Sequence, residues 1–344
     1  MASLRHRYTQ FFVLFILCSN MYVMVQSLSA GVKNFQDHLY KRDFLIERAN
    51  WLRTQLGDRI LPISLIGKDG WVDYTGDGNI DDFQKLKPFT NKKDLLKRLR
   101  ALNQYLKSQD ITLLIVVAPN KATIYPDKLP EQIKSLPTPS RLDQLMTSLE
   151  ARNLHILVDL RPSLSAARGN QDVYFKENNT HWNGYGAFVA YTTIINRLKN
   201  SYPGLEPYNT SELKRVAAPP NAVAPDSYFV PEHAFVRTLY FGNNIDPNRI
   251  WGTDYGYHQF SSIANSKLPI LLMFHDSFGA FYLNDYLSMN FAESHFVHLR
   301  DAPQYLSQEA ILQFKPDVVM IQIVERNLDL LINTLTNFDP NKGP

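Results

Sequence analysis

Ile111-Thr112-Leu113-Leu114-Ile115-Val116-Val117-Ala118 is an apolar run interrupted only by Thr112. A strand with one wet face alternates apolar and polar residues. A short, β-branched run without that alternation belongs to a strand buried on both faces, as in a parallel sheet covered by helices. The pattern repeats outward from this stretch. Upstream, residues 91–108 carry Leu95, Leu99, Leu102 and Leu106 at helical spacing, with Thr90 or Asn91 placed to cap them. Downstream, a helical segment at 140–152 is followed by a strand at 154–160. Further strands read at 61–66, 269–274, 296–299 and 317–324, and further helices at 35–56, 183–199 and 307–314. This alternation predicts an α/β fold with a mostly parallel sheet flanked by helices.

Residues 202–267 break the rhythm. Pro203, Pro207, Pro219, Pro220, Pro225, Pro231 and Pro247 fall there among aromatics, and the segment reads as an insertion or lid. At 344 residues and 44% hydrophobic content, the chain can form one such α/β domain with an insertion. A net charge of +3 is too small and scattered for nucleic-acid binding. The densest basic run, Lys92, Lys93, Lys97, Arg98 and Arg100, lies on the solvated face of a predicted helix.

The N-terminus carries Arg5, His6 and Arg7 before an apolar run over residues 11–28. Residues 1–31 therefore read as a signal peptide or N-terminal membrane anchor. Either would place the domain over 32–344 outside the cytoplasm. The single cysteine, Cys18, lies in that segment, so the body has no disulfide and no thiolate metal site. Asp77-Gly78-Asn79-Ile80-Asp81 has the acid spacing of a calcium loop. However, Asp82 and Pro88 stand where the loop needs glycine and glutamate, and an ordinary turn is expected. No phosphate loop, dinucleotide fingerprint or zinc spacing occurs, so no metal and no cofactor is expected.

Chemistry rests on two short motifs, Asn179-Thr180-His181-Trp182-Asn183 and His275-Asp276-Ser277-Phe278. Ser277 follows an apolar strand and precedes Gly279-Ala280, which can open a helix. A serine there exposes its hydroxyl and holds its own N–H where it can meet an oxyanion. His181 sits at a loop-to-helix junction. Alone, the serine reads as a helix cap and the histidine as packing. Brought together, they carry acyl-transfer chemistry.

The histidine motif, followed by Gly186-Ala187, resembles the Asp-Thr-His-Trp signature of periplasmic alginate O-acetyltransferases, whose domain is SGNH hydrolase-like. Asp276-Ser277-Phe278 resembles their serine motif. Three more segments agree in order. They are Gly67-Lys68-Asp69-Gly70-Trp71; Ala118-Pro119-Asn120-Lys121 with Tyr125-Pro126 and Leu129-Pro130; and Lys315-Pro316-Asp317-Val318-Val319 with Glu325-Arg326. The resemblance spans roughly residues 40–335. It implies a Ser-His-Asp triad with Ser277 as the acetyl-accepting nucleophile and His181 as its base. It implies acetyl transfer to polysaccharide hydroxyls in the periplasm, and a membrane-bound O-acyltransferase partner that supplies the acetyl group.

Two residues depart from the pattern. Asn179 stands at the family's aspartate position; an amide fixes the imidazole tautomer but supplies no charge, at a cost on the order of 10⁴-fold in a serine protease. Glu177 is the neighbouring candidate to replace that acid. His275 stands where related motifs carry glycine, placed either to crowd the oxyanion hole or to act as an alternative base. Asp276 is a further auxiliary candidate. Lys121 and Arg326, each after a strand, are candidates to bind an anionic sugar or an acetyl carbonyl, and Asn120 and Asn183 are candidates for a second oxyanion donor. The expected activity is polysaccharide O-acetylation. The alternatives are a carbohydrate esterase using the same residues and a catalytically degenerate glycan-binding subunit.

Overall fold

The computed structural model describes residues 42–177, 179–217, 227–231, 236–241, 244–245, 258–262, 267–299, 306–336 and 338. The chain divides into two compact units, residues 1–61 and 62–344. In the first, helix α1 spans Arg42–Gln55 and leaves Trp51 exposed. The expected helix began at residue 35, and residues 35–41 lie outside the described ones, as does the apolar N-terminal segment. No helix among the described residues is long and apolar enough to cross a membrane.

The second unit opens with β1 (Ser64–Ile66) and β2 (Val72–Tyr74), followed by α2 (Lys92–Ser108), β3 (Thr112–Ala118), α3 (Arg141–Glu150) and β4 (Leu157–Asp159). Helix α4 (Gly184–Leu198) comes next, then β5 (Leu213–Ala217), β6 (Ser227–Pro231), β7 (Val236–Phe241), β8 (Asn244–Ile245) and β9 (His258–Ser262). The last elements are β10 (Ile270–His275), α5 (Asn284–Ser288), β11 (Glu293–His298), α6 (Gln308–Phe314) and β12 (Val318–Val324).

The main sheet has the order β4-β3-β12-β10-β11-β9-β7-β8. Its first five strands are parallel. The unbroken apolar runs explain this core. Along β3, Leu114, Val116 and Ala118 face one side, where they join Met273, Met320 and the α4 residues Ala187, Ile194 and Leu198. Leu113, Ile115 and Val117 face the other side, against Leu95, Leu99, Leu102 and Leu106 of α2 and Leu142, Leu145 and Leu149 of α3. Period-2 alternation thus sends every second residue into a different dry layer. Each leucine buried this way contributes about 1.5–3 kcal/mol. Helix α3 begins as its sequence dictates: Ser140 caps the Asp143 N–H and Asp143 reciprocates. Asn91 holds the cap position of α2, but its side chain makes no cap bond.

Four expectations are refined. The strand at 61–66 is not part of the main sheet, because β1 turns back on β2 as an antiparallel hairpin. The turn between them is closed by Gly67 N–H donating to Trp71 O at 2.8 Å, with Asp69 and Gly70 at positive φ. Strand β4 covers only Leu157–Asp159, and β11 begins at Glu293 to stay in register with Ile270. Within the proline-rich segment 202–267, β9 pairs antiparallel with β11, and β7 and β8 continue the sheet. Strands β5 and β6 form a separate hairpin. An open edge on β11 accepts these strands despite the prolines that mask them in the sequence.

Helix α4 starts under tight constraint. A Cβ on Gly186 would lie 2.0 Å from the Val173 carbonyl oxygen. We expect Gly186→Ala to cost about 1–3 kcal/mol in denaturant unfolding. An unchanged midpoint would mean that α4 does not depend on this close approach.

Candidate active site

The carboxyl ends of β3, β12 and β10 meet at one edge of the sheet, where open α/β sheets form their crevice. Ser277 follows β10, and His181 lies in the loop just before α4. Although 96 positions apart, their side chains meet: His181 Nε2 lies 2.8 Å from Ser277 Oγ. His181 Nδ1 is 2.9 Å from Asn179 Oδ1, and that same oxygen accepts the His181 backbone N–H at 3.0 Å. A carboxamide oxygen only accepts, so Nδ1 carries the proton and Nε2 is free to take the serine hydroxyl's proton.

Each partner is held by its surroundings. The Asp276 carboxylate accepts the Phe278 N–H at 2.8 Å and the Val324 N–H at 2.6 Å, which ties the serine turn to the end of β12. Burial pushes this carboxyl upward from its ordinary value, against the pull of those N–H donors. The Ser277 N–H opens a helical turn, where its would-be helical partner, Met273, lies in β10. Such an orphan donor suits a developing oxyanion. Across the gap, the Trp182 indole N–H donates to Phe281 O at 2.9 Å, which joins the histidine loop to the turn after Ser277. The Phe281 ring stacks on the imidazole with centroids 3.9 Å apart and planes 6° from parallel. Burial, then the charges of Arg326 and Lys121, press the His181 imidazole down to about 3. The base is therefore neutral across the physiological range.

With this geometry in hand, comparison with known proteins is informative. Residues 65–225 match the family model described as "SGNH hydrolase-like domain, acetyltransferase AlgX". The match covers less than half of the chain and supports an SGNH hydrolase-like fold for this segment. No curated protein matches the chain at a significant level. Among solved structures, Bacillus cereus PatB1 with a sulfonyl adduct aligns with a TM-score of 0.59 and 18% identity, covering 77% of this chain and 97% of that one. A DHHW family protein from Eubacterium siraeum aligns at 0.52 and 16% identity, covering 80% and 99%. At such identities the likeness is one of fold.

In this SGNH hydrolase-like domain, several residues singled out in the sequence make contacts other than those expected. Lys121, a candidate substrate ligand, is 1% exposed. Its Nζ donates to the carbonyls of Val72 at 2.6 Å, Phe175 at 2.7 Å and Glu177 at 3.0 Å. All three ammonium protons are spent, so none remains for a sugar. Arg326 is also buried, with its guanidinium 5.3 Å from the Tyr74 ring and 5.8 Å from the Phe278 ring, and it acts on His181 through its charge. Asn120 gives its amide N–H to Asp82 at 2.9 Å, and Asn183 bonds Gly186 N at 2.9 Å and Asp172 O at 2.7 Å. Each thus has one amide N–H engaged within the protein.

Glu177 does not replace the missing acid. Its side chain is exposed, and it is its backbone carbonyl that the Lys121 ammonium and the Asn179 N–H use. His275 is neither an alternative base nor an obstruction. Nδ1 bonds Asp276 O at 2.7 Å and Nε2 meets Asn284 at 3.2 Å, inside the protein. Gly279 packs directly on this ring, since a Cβ there would lie 2.5 Å from His275 Cβ.

A buried ionic network behind the site went unread in the sequence. Arg141 bonds Asp82 at 2.7 Å, Asp329 at 2.8 Å and Arg326 O at 2.7 Å. The Glu325 carboxylate accepts the Asn120 N–H at 3.0 Å and the Thr123 hydroxyl at 2.7 Å, and burial raises it to about 7. Nothing in local spacing joins positions 82, 141 and 325. Only the fold does.

Two outcomes follow. Because protonation of His181 would silence the base, the acid limb of Ser277 reactivity toward an acetyl ester should fall far below the usual histidine value of about 6.5. Asn179→Asp should move that limb upward, and a limb near 6.5 in the unaltered protein would contradict the buried, neutral imidazole. Lys121→Ala should strand three carbonyls in a dry site and cost roughly 3 kcal/mol or more of stability. Urea unfolding reads this directly. A stable variant with weakened acceptor binding would restore Lys121 as a substrate ligand.

Proposed function

We propose that this protein is an O-acetyltransferase that moves acetyl groups onto hydroxyls of a surface or secreted polysaccharide through a serine acetyl-enzyme. The observation that carries the reading is the 2.8 Å contact between His181 Nε2 and Ser277 Oγ, with Nδ1 fixed by Asn179. The match of residues 65–225 to an acetyltransferase family model supports the acyl group transferred. The motif resemblance to alginate O-acetyltransferases supports a polysaccharide acceptor.

In the first step, Ser277 Oγ attacks the acetyl carbonyl while its proton passes to His181 Nε2. The oxyanion meets the Ser277 N–H, and the donor's oxygen leaves with the proton from Nε2. In the second, a sugar hydroxyl gives its proton to Nε2 and attacks the serine ester, and Nε2 returns that proton to Ser277 Oγ as it leaves, which releases the acetylated sugar and restores the neutral imidazole. Asn179 orients the imidazole throughout but adds no charge, so turnover is expected to be slow relative to an aspartate-containing site. The same proposal places the domain in the periplasm, held by the N-terminal segment to the cytoplasmic membrane. There a membrane-bound O-acyltransferase would present the acetyl group.

A chromogenic acetyl ester offered with and without oligosaccharide tests this reading. Acetylated sugar should form with the unaltered protein, and Ser277→Ala should reduce it by about 10³-fold or more. Release of acetate alone, with no acetylated sugar, would make the protein an esterase. Failure of a sulfonyl fluoride to label Ser277 in the folded protein would reduce it to a glycan-binding subunit.

A further inference from the structure

The site must support a positive charge without an acid. When Nε2 takes the serine proton, His181 becomes an imidazolium, yet its Nδ1 partner is the neutral Asn179. Arg326 and Lys121, whose charges act on the ring, are both cations and oppose it. The Glu177 side chain is exposed, and the Asp276 carboxylate accepts two backbone N–H groups. What does face the imidazole is aromatic. Phe281 lies flat against it, and Phe278 approaches at 4.8 Å and 52°.

The placement of Phe281 is built into the backbone. Gly279–Leu283 forms a π-helical turn in which Phe281 leaves helical geometry at ψ 86° and Tyr282 adopts φ 69°. A tyrosine in the left-handed region is costly and persists only where its surroundings demand it. Here the Trp182 indole N–H holds the Phe281 carbonyl at 2.9 Å, so the residue beside His181 fixes the residue that covers it. The stack therefore does not depend on chance packing of an exposed ring.

We propose that Phe281 is a positioning residue that holds the His181 imidazole plane in line with Ser277 and, through its negative π-face, stabilises the imidazolium that the aspartate of the family pattern would otherwise stabilise. The inference rests on the acyl-transfer reading of the same site, and it names how that site works with Asn179. A cation held against a phenyl face is favoured enough to change a rate by about 2- to 30-fold. That falls short of what a carboxylate supplies, so the site is slower than its aspartate counterpart but not inert.

Replacing Phe281 with phenylalanines carrying one, two and three ring fluorines keeps the shape and packing while it drains the π-face. The readouts are the second-order rate of Ser277 capture by phenylmethanesulfonyl fluoride and the rate of acetyl transfer. The first uses the same proton transfer to His181, with the Oγ–S bond forming as fluoride leaves, and needs no sugar. Both rates should fall stepwise along the series, to about 2- to 30-fold overall, with an unchanged unfolding midpoint. The Asn179→Asp background should flatten the series, because a carboxylate then carries the charge. Rates that stay level across the fluorinated series in the Asn179 protein, with Ser277 still labelled, overturn the role of Phe281 alone. No labelling of Ser277 in the unaltered protein instead overturns the serine-enzyme reading on which the proposal stands. Stepwise loss of sulfonylation without any acetyl transfer would uphold Phe281 and refute the transferase.

Discussion

One buried ammonium joins the parts on which the site depends. Lys121 stands just past β3, and its three protons are divided among carbonyls of β2 and of the loop that leads to His181. Burial presses this amine down to about 8. An ammonium without partners would not survive there, and carbonyls without donors would not either. The arrangement is thus all or nothing, and it seats the histidine loop against the end of the sheet. A carboxylate acts likewise on the other side: Asp276 accepts two backbone N–H groups and binds the serine turn to β12. Two charged groups of kinds that often serve chemistry serve geometry here.

The electrostatics of the pair follow from this economy. The site contains cations near His181 and an amide where the family pattern has an acid. It favours the neutral base and resists the imidazolium. The second tendency is the harder one for catalysis, because the proton must rest on Nε2 in both half-reactions. Aromatic faces are the remaining source of stabilisation, and Phe281 is aligned to supply it. Behind the pair, Arg141, Asp82 and Glu325 form a buried network, with the half-buried Asp329 at its rim, that fixes the ends of β3 and β12 without touching Ser277.

Much of the scaffold was legible in the sequence. The runs at 111–118, 269–274 and 317–324 announced buried strands, and the leucines of α2 announced its inner face, because periodicity reports burial directly. The strand before Gly67 was legible, but its pairing with β2 was not, because a three-residue strand carries no information about its partner. The sheet extension by β7, β8 and β9 was hidden because prolines at their margins read as irregular chain, while edge pairing is made by backbone groups that sequence does not display. The charged residues were the least legible. Lys121, Arg326 and Glu177 look alike in a sequence whether a head group faces solvent, a ring or a carbonyl.

Sequence by itself determined the α/β class, the two motifs that bear a serine and a histidine, and the amide at position 179. These follow from residue type and local order, which no folding step can alter. Only the tertiary structure decided that Ser277 and His181 are neighbours, that Lys121 is a clamp and that Phe281 covers the base. Each of these is a contact between segments far apart in the chain, and its existence depends on how the dry layers of the sheet close around it.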